Sequence, residues 1–83
     1  MNTKLFVGNI SWGLSDEDLK QAFEAAGEVV SASIVKDRMT GRSKGFGFVE
    51  MASADGAQKA IAELNGKELD GRAINVDEAR PQQ

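Results

Sequence analysis

Apolar residues recur along the chain at two different spacings, and the places where the spacing changes predict six elements. Residues 4–9 (Lys-Leu-Phe-Val-Gly-Asn) are a short apolar run bounded by turn residues, which reads as a strand. Ser15 stands where a helix N-cap belongs, with Asp18 in a capping-box position and Leu14 and Leu19 placed for a hydrophobic staple. Leu19, Ala22, Phe23 and Ala26 follow at helical spacing, and Gly27 suits the stop. Residues 29–36 alternate, which predicts Val30, Ala32 and Ile34 on one face and Ser31, Ser33 and Val35 on the other. A polar loop over 37–43 leads to a strand over 44–51. Ser53 can cap a second helix whose inner stripe is Ala57, Ala60, Ile61 and Leu64 and whose stop is Asn65-Gly66. Asp70-Gly71 marks a tight turn. The last strand is expected over 72–78, with Ile74 and Val76 facing in.

This βαββαβ order predicts an α+β, ferredoxin-like sandwich: a four-stranded antiparallel sheet with two helices on one face. The other face is left in water, so its residues should be polar. The strand over 44–51 breaks that rule. Val49 and Met51 lead into the second helix and must face the core, together with Gly45 and Gly47. Lys44, Phe46, Phe48 and Glu50 then share the open face. On the first strand Leu5 and Val7 go inward, which sends Phe6 outward with Lys4 and Gly8. Three of the four phenylalanines point at solvent, and only Phe23 is left for the core. The glycines at 45 and 47 are expected to let the strand lie close to the helices, and Gly8 to leave room beside Phe6. Clustered exposed aromatics mark an interaction surface. Flat rings flanked by cations suit unpaired bases, each stacked base contributing roughly 1–3 kcal/mol; burial by a protein partner or a tail is the alternative.

Composition sharpens the picture. Eighty-three residues, 41% of them hydrophobic, make one small domain. No apolar run approaches the roughly 18 residues of a membrane span, and no signal-peptide pattern is present. Cysteine and histidine are both absent, which excludes thiolate chemistry and the usual metal sites and general base, so no cofactor or metal is expected. Met1 reads as a natural start. A cytoplasmic location is expected from the missing targeting signals, with no membrane partner. The net charge of −3 argues against nucleic acid if taken whole. It is unevenly spread: over 36–44, Lys36, Arg38, Arg42 and Lys44 against Asp37 give +3, leaving −6 for the rest. Asp16, Glu17 and Asp18 open the first helix, where the helix dipole favours acids. Charges more than about 8–10 Å apart are largely screened at physiological salt, so the open face responds to the local basic loop. Glu50 and Asp77, on or near that face, hold affinity down and can accept a hydrogen bond from a base amino group.

Lys44–Met51 resembles the eight-residue signature of the RNA recognition motif, K/R-G-F/Y-G/A-F-V-x-F/Y, at seven of its eight positions counting the free one. Leu5-Phe6-Val7-Gly8-Asn9-Ile10 resembles that family's six-residue companion motif on the first strand. The 37–43 segment and the ending Asn75–Pro81 are similar to the small single-domain RNA-binding proteins of bacteria and the glycine-rich RNA-binding proteins of plants and cyanobacteria. Met51 replaces an aromatic, and the glycine-rich tail is missing. The resemblance implies a domain over 1–80, with 81–83 a tail or linker start. It further implies a monomeric, non-enzymatic binder of single-stranded RNA, an RNA chaperone or post-transcriptional regulator, with single-stranded DNA also accommodated.

By resemblance, Phe6 and Phe46 stack on successive bases and Phe48 packs against a sugar or base edge. Lys44 pairs with phosphate, and Lys4 is similar. Arg38 and Arg42 sit in a flexible loop that can close over the strand. Ser33, Val35 and Asn75 are placed to read base edges, and Arg80 follows the last strand. Trp12 either packs in the loop after the first strand or flanks RNA at the sheet edge. Two other classes fit less well. Protein-binding relatives of this fold resemble a pattern with Arg-x-Phe in the last loop, but here Arg72-Ala73-Ile74 has no Phe and the sheet aromatics are intact. Small phosphatases on this fold need an arginine in the loop after the first strand, and Ile10–Leu14 has none; Gly45-x-Gly47 lies inside a strand, so it is no dinucleotide loop.

Overall fold

The computed structural model describes residues 3–79, so Arg80 and the 81–83 tail lie outside it, and for Ser43 it describes the backbone alone. The chain runs β1 (Lys4–Gly8), α1 (Asp16–Glu24), β2 (Val29–Lys36), β3 (Ser43–Met51), α2 (Ala54–Leu64), β4 (Glu68–Leu69), β5 (Arg72–Ala73) and β6 (Asn75–Glu78). The antiparallel sheet has the order β2-β3-β1-β6. Helix α1 packs on β2 and β3, and α2 on β3 and β6. Both helices thus cover the same face. No helix is long and apolar enough to cross a membrane among the described residues.

The helices start where the sequence places them. The Ser15 hydroxyl accepts from the Asp18 amide at 3.2 Å, and the Asp18 carboxylate accepts from the Ser15 amide at 3.1 Å. The box satisfies two otherwise orphaned amides of α1. Ser53 accepts from the Gly56 amide at 3.1 Å and caps α2. At the α2 end, Gly66 takes φ +86°, and the Asn65 side chain reaches across to accept from the Val76 amide at 3.0 Å. Helix α1 stops earlier than expected, at Glu24. Gly27 is not its left-handed cap: a Cβ there would lie 3.3 Å from the Gly56 Cα, so small size rather than a turn is what the position requires.

Leu5, Val7, Leu19, Phe23, Ile34, Val49, Met51, Ala57, Ala60, Leu64, Ile74 and Val76 are buried in one cluster between sheet and helices. Phe23 is fully enclosed, and Met51 faces the core as its position on β3 requires.

Three features of the sheet depart from simple alternation. Between Val29↔Met51 and Ser31↔Glu50, β2 carries one extra residue, a bulge. It turns Val29 inward and leaves Val30 59% exposed, the reverse of the expected placement. The expected last strand is two: Arg72–Ala73 pairs with Glu68–Leu69 as a small hairpin, and only Asn75–Glu78 joins the main sheet. At the third, between Ile34↔Gly47 and Lys36↔Ser43, β3 carries two extra residues. Gly45 sits there at φ +86°, a conformation open to glycine without steric cost.

Gly47 answers a different demand. A Cβ at this position would meet the Ser33 carbonyl oxygen at 2.4 Å and the Ile34 Cα at 2.9 Å. The neighbour that requires glycine is therefore the backbone of β2, not the helices. Asp16, beyond its favourable place at the α1 N-terminus, accepts from the Ile34 amide at 2.8 Å. That bond satisfies a donor on the edge strand β2, which would otherwise invite pairing with another chain.

Because the Gly47 clash is with backbone, Gly47→Ala must separate β2 from β3. We expect a loss of about 2 kcal/mol, of the size seen for overpacked cores, read as a lower midpoint in urea unfolding. A midpoint equal to wild type would show that the strands can part at no cost.

Candidate nucleic-acid interface

The uncovered face is built row by row from the strand register. Phe6 pairs with Phe48 on one side and Asp77 on the other, and Ser33 lies beyond Phe48. The next row holds Phe46, Gly8 and Asn75. On the other side lie Lys4 and Glu50, followed by Ser31. Phe6, Phe46 and Phe48 are half-buried by one another. Phe6 and Phe46 lie at 5.8 Å between ring centroids with planes 29° apart, and Phe48 stands edge-on to both, at 5.8 Å and 6.5 Å. Such offset and edge-to-face arrangements are the favoured ones for aromatic pairs. Gly8 keeps the cluster open: a Cβ there would stand 3.1 Å from the Phe6 ring edge.

The cations take up several positions around this cluster. The Lys4 ammonium lies 5.0 Å from the centroid of Phe48, within cation–π range. Ser33 and Asn75 are exposed on the face, and Val35 is half-buried beside the β3 irregularity. Lys44 is exposed, but the left-handed turn at Gly45 interrupts the alternation that was to place it beside Phe46. It lines a groove at the end of the sheet instead. The loop expected over 37–43 contains a hydrogen-bonded turn over 37–42. The Asp37 amide donates to the Arg42 carbonyl at 2.7 Å, and its carbonyl accepts from the Gly41 amide at 2.8 Å. The Asp37 carboxylate accepts from the Met39 amide at 2.8 Å. Arg38 and Arg42 are exposed on this turn, and Met39 is 95% exposed at its tip. Asp37, the lone acid of the basic segment, is thus spent on local structure. Glu50 and Asp77 are both exposed on the open face, as expected.

Trp12 does not pack in its loop. It is 69% exposed and borders two grooves: one with Lys36 and Arg42, the other with Lys44, Arg72 and Asn75. Arg72 is a residue that the sequence did not single out for binding. Its place on that groove depends on the β4–β5 hairpin, and only the Asp70-Gly71 turn hints at that hairpin. Asn9, at φ 57°, accepts from the Arg72 guanidinium at 3.0 Å and donates to the Ala73 carbonyl at 2.8 Å, fixing the hairpin against the end of β1.

Comparison with known proteins agrees with this geometry. The RNA recognition motif family matches residues 5–75. Glycine-rich RNA-binding protein 4, mitochondrial, of Arabidopsis thaliana is 56% identical over 77 residues, covering 93% of this chain and 57% of the relative. Small RNA-binding protein 11, chloroplastic, of the same plant is 53% identical, covering 98% and 56%. The chain therefore spans about half the length of the curated relatives it matches. Among solved structures, an Sxl-lethal protein/RNA complex superposes with a TM-score of 0.93 at 34% identity, covering all of this chain and 50% of that one. The expected cytoplasmic location does not stand: the names of these relatives place them in mitochondria and chloroplasts, which points away from a purely cytoplasmic site. That expectation rested on a missing signal, and an absence specifies no compartment. The matched span takes in β3, nearly all of β1 and both helices, and the chain belongs to the RNA recognition motif family.

Proposed function

We propose that the open sheet face binds single-stranded RNA, with Phe6 and Phe46 each stacking on one base and Phe48 packing against a sugar or a base edge. The observation that carries this reading is the cluster of three phenylalanines on the face that α1 and α2 leave uncovered. The rings pack on one another, which supports a platform already formed before a base arrives, and such preorganisation lowers the cost of binding. Lys4, Lys44, Arg38 and Arg42 take phosphates. Ser33, Val35 and Asn75 border the stacked bases and contact their edges, while Glu50 and Asp77 accept from base amino groups. Arg80 follows β6 and is proposed as a further phosphate contact. One chain supplies the whole face, so a monomer suffices. Single-stranded DNA is accommodated too, because stacking does not need the 2′-hydroxyl. Remodelling or regulating RNA is the role proposed for the whole protein, by analogy with its family.

Titration of a fluorescent random RNA octamer tests the reading. Two stacked bases and a few phosphates, less the ordering cost, correspond to a Kd on the order of micromolar. Phe6→Ala/Phe46→Ala is expected to weaken binding by at least about tenfold, the loss of stacking on two bases. It should remain folded by circular dichroism, since both rings lie outside the core. Raising salt from about 50 to 200 mM should weaken wild type by about another tenfold, as release of counterions from two or three phosphates requires. Binding that ignores both rings in the folded variant would sink the stacking mechanism.

A further inference from the structure

The Phe46 row is the last row in which β1 is paired with β3 and β6, yet the cationic surface continues past it. Beyond Phe46, Gly8 and Asn75 lies a groove of about 430 Å³ whose lining includes Asn9, Lys44, Arg72 and Asn75, with Trp12 at its rim. Its two charged residues are both cations. The second groove that Trp12 borders adds Lys36 and Arg42. An exposed indole thus stands between two pairs of cations at the end of an aromatic platform.

Its loop is held in place. The Leu14 amide donates to the Ser11 carbonyl at 3.2 Å, which closes a turn around Trp12 and Gly13. The Ser11 hydroxyl donates to the Asp70 carboxylate at 2.7 Å and accepts from the Gly13 amide at 3.3 Å, tying this loop to the β4–β5 turn. The same contact engages Asp70 with Ser11, and Asp70 lines neither groove. Asn9 holds one end of the Arg72 guanidinium at 3.0 Å. Nothing in these contacts needs the indole, whose large apolar surface is left in water. The core gains little from a tryptophan here, whereas an unpaired base with phosphates on either side matches both the flat ring and the surrounding charge.

We propose that Trp12 is a third stacking platform, which takes the base of a nucleotide lying past the one on Phe46, with Lys44 and Arg72 holding the adjoining phosphates. The inference rests on the sheet-face reading and extends it from two bases to three. Commitment to the same RNA strand follows from continuity: Gly45 joins Lys44 to Phe46, and Asn75 belongs both to the Phe46 row and to the groove.

Trp12 is the chain's one tryptophan, and there is no tyrosine, so intrinsic emission reports this residue alone. Adding the RNA octamer to wild type should quench that emission. Trp12→Ala should weaken octamer binding about tenfold, and Trp12→Phe, which keeps a ring, should recover most of the loss. Arg72→Ala should reduce the slope of log K against log salt by about 0.7, one phosphate on a single strand. If the octamer binds and the binding is lost in Phe6→Ala/Phe46→Ala, unchanged Trp12 emission overturns the third platform and leaves the sheet-face reading intact. A Trp12→Ala affinity within twofold of wild type does the same. An octamer that fails to bind wild type overturns both.

Discussion

A sheet with helices on one side has one face it cannot bury, and the architecture of this domain follows from that asymmetry. Everything that stabilises the chain must be placed on alternate residues of the strands, because the residues between them point away from the core. Leu5, Val7, Val49, Met51 and Val76 meet the helix stripes and close the core. The intervening positions carry no such duty, and three of them hold phenylalanine. Rings placed there would normally be a liability in water. Here they shield one another, so that each is half-buried before any ligand arrives.

Electrostatics follows the same division. A net charge of −3 describes the molecule as a whole, but the acids at the start of α1 serve the helix and its neighbours. Asp18 closes the capping box and Asp16 holds the β2 edge. Asp37 shapes the β2–β3 turn, and Asp70 anchors the loop that carries Trp12. Acids bound to local donors leave the cations as the outward charge at the end of the sheet, where Lys36, Arg42, Lys44 and Arg72 line the two grooves. Over distances beyond a Debye length, the remaining acidic charge on the far side is screened.

The order of elements, both caps, the inner stripes and the outward rings were legible from periodicity, because each depends on near neighbours in the chain. Val30 was misplaced because a bulge shifts a strand by one residue without changing its composition. Alternation alone ties Gly45 and Gly47 to the helices. Their causes are a left-handed turn in β3 and the backbone of β2, and both are features of strand pairing that one strand's sequence does not display. Arg72 and the exposure of Trp12 were hidden for a related reason. The β4–β5 hairpin and the Ser11–Asp70 contact join segments far apart in sequence.

Strand β3 separates two kinds of selection. From Phe46 to Met51, a change at an even-numbered position alters the uncovered face, while a change at Val49 or Met51 alters the core. The chemistry of the uncovered face can therefore change at alternate codons with little loss of foldability. Gly47 is the exception. It lies on the covered side, but the strand spacing that it permits also sets how far Ser33 stands from Phe48, so both constraints meet at that one residue.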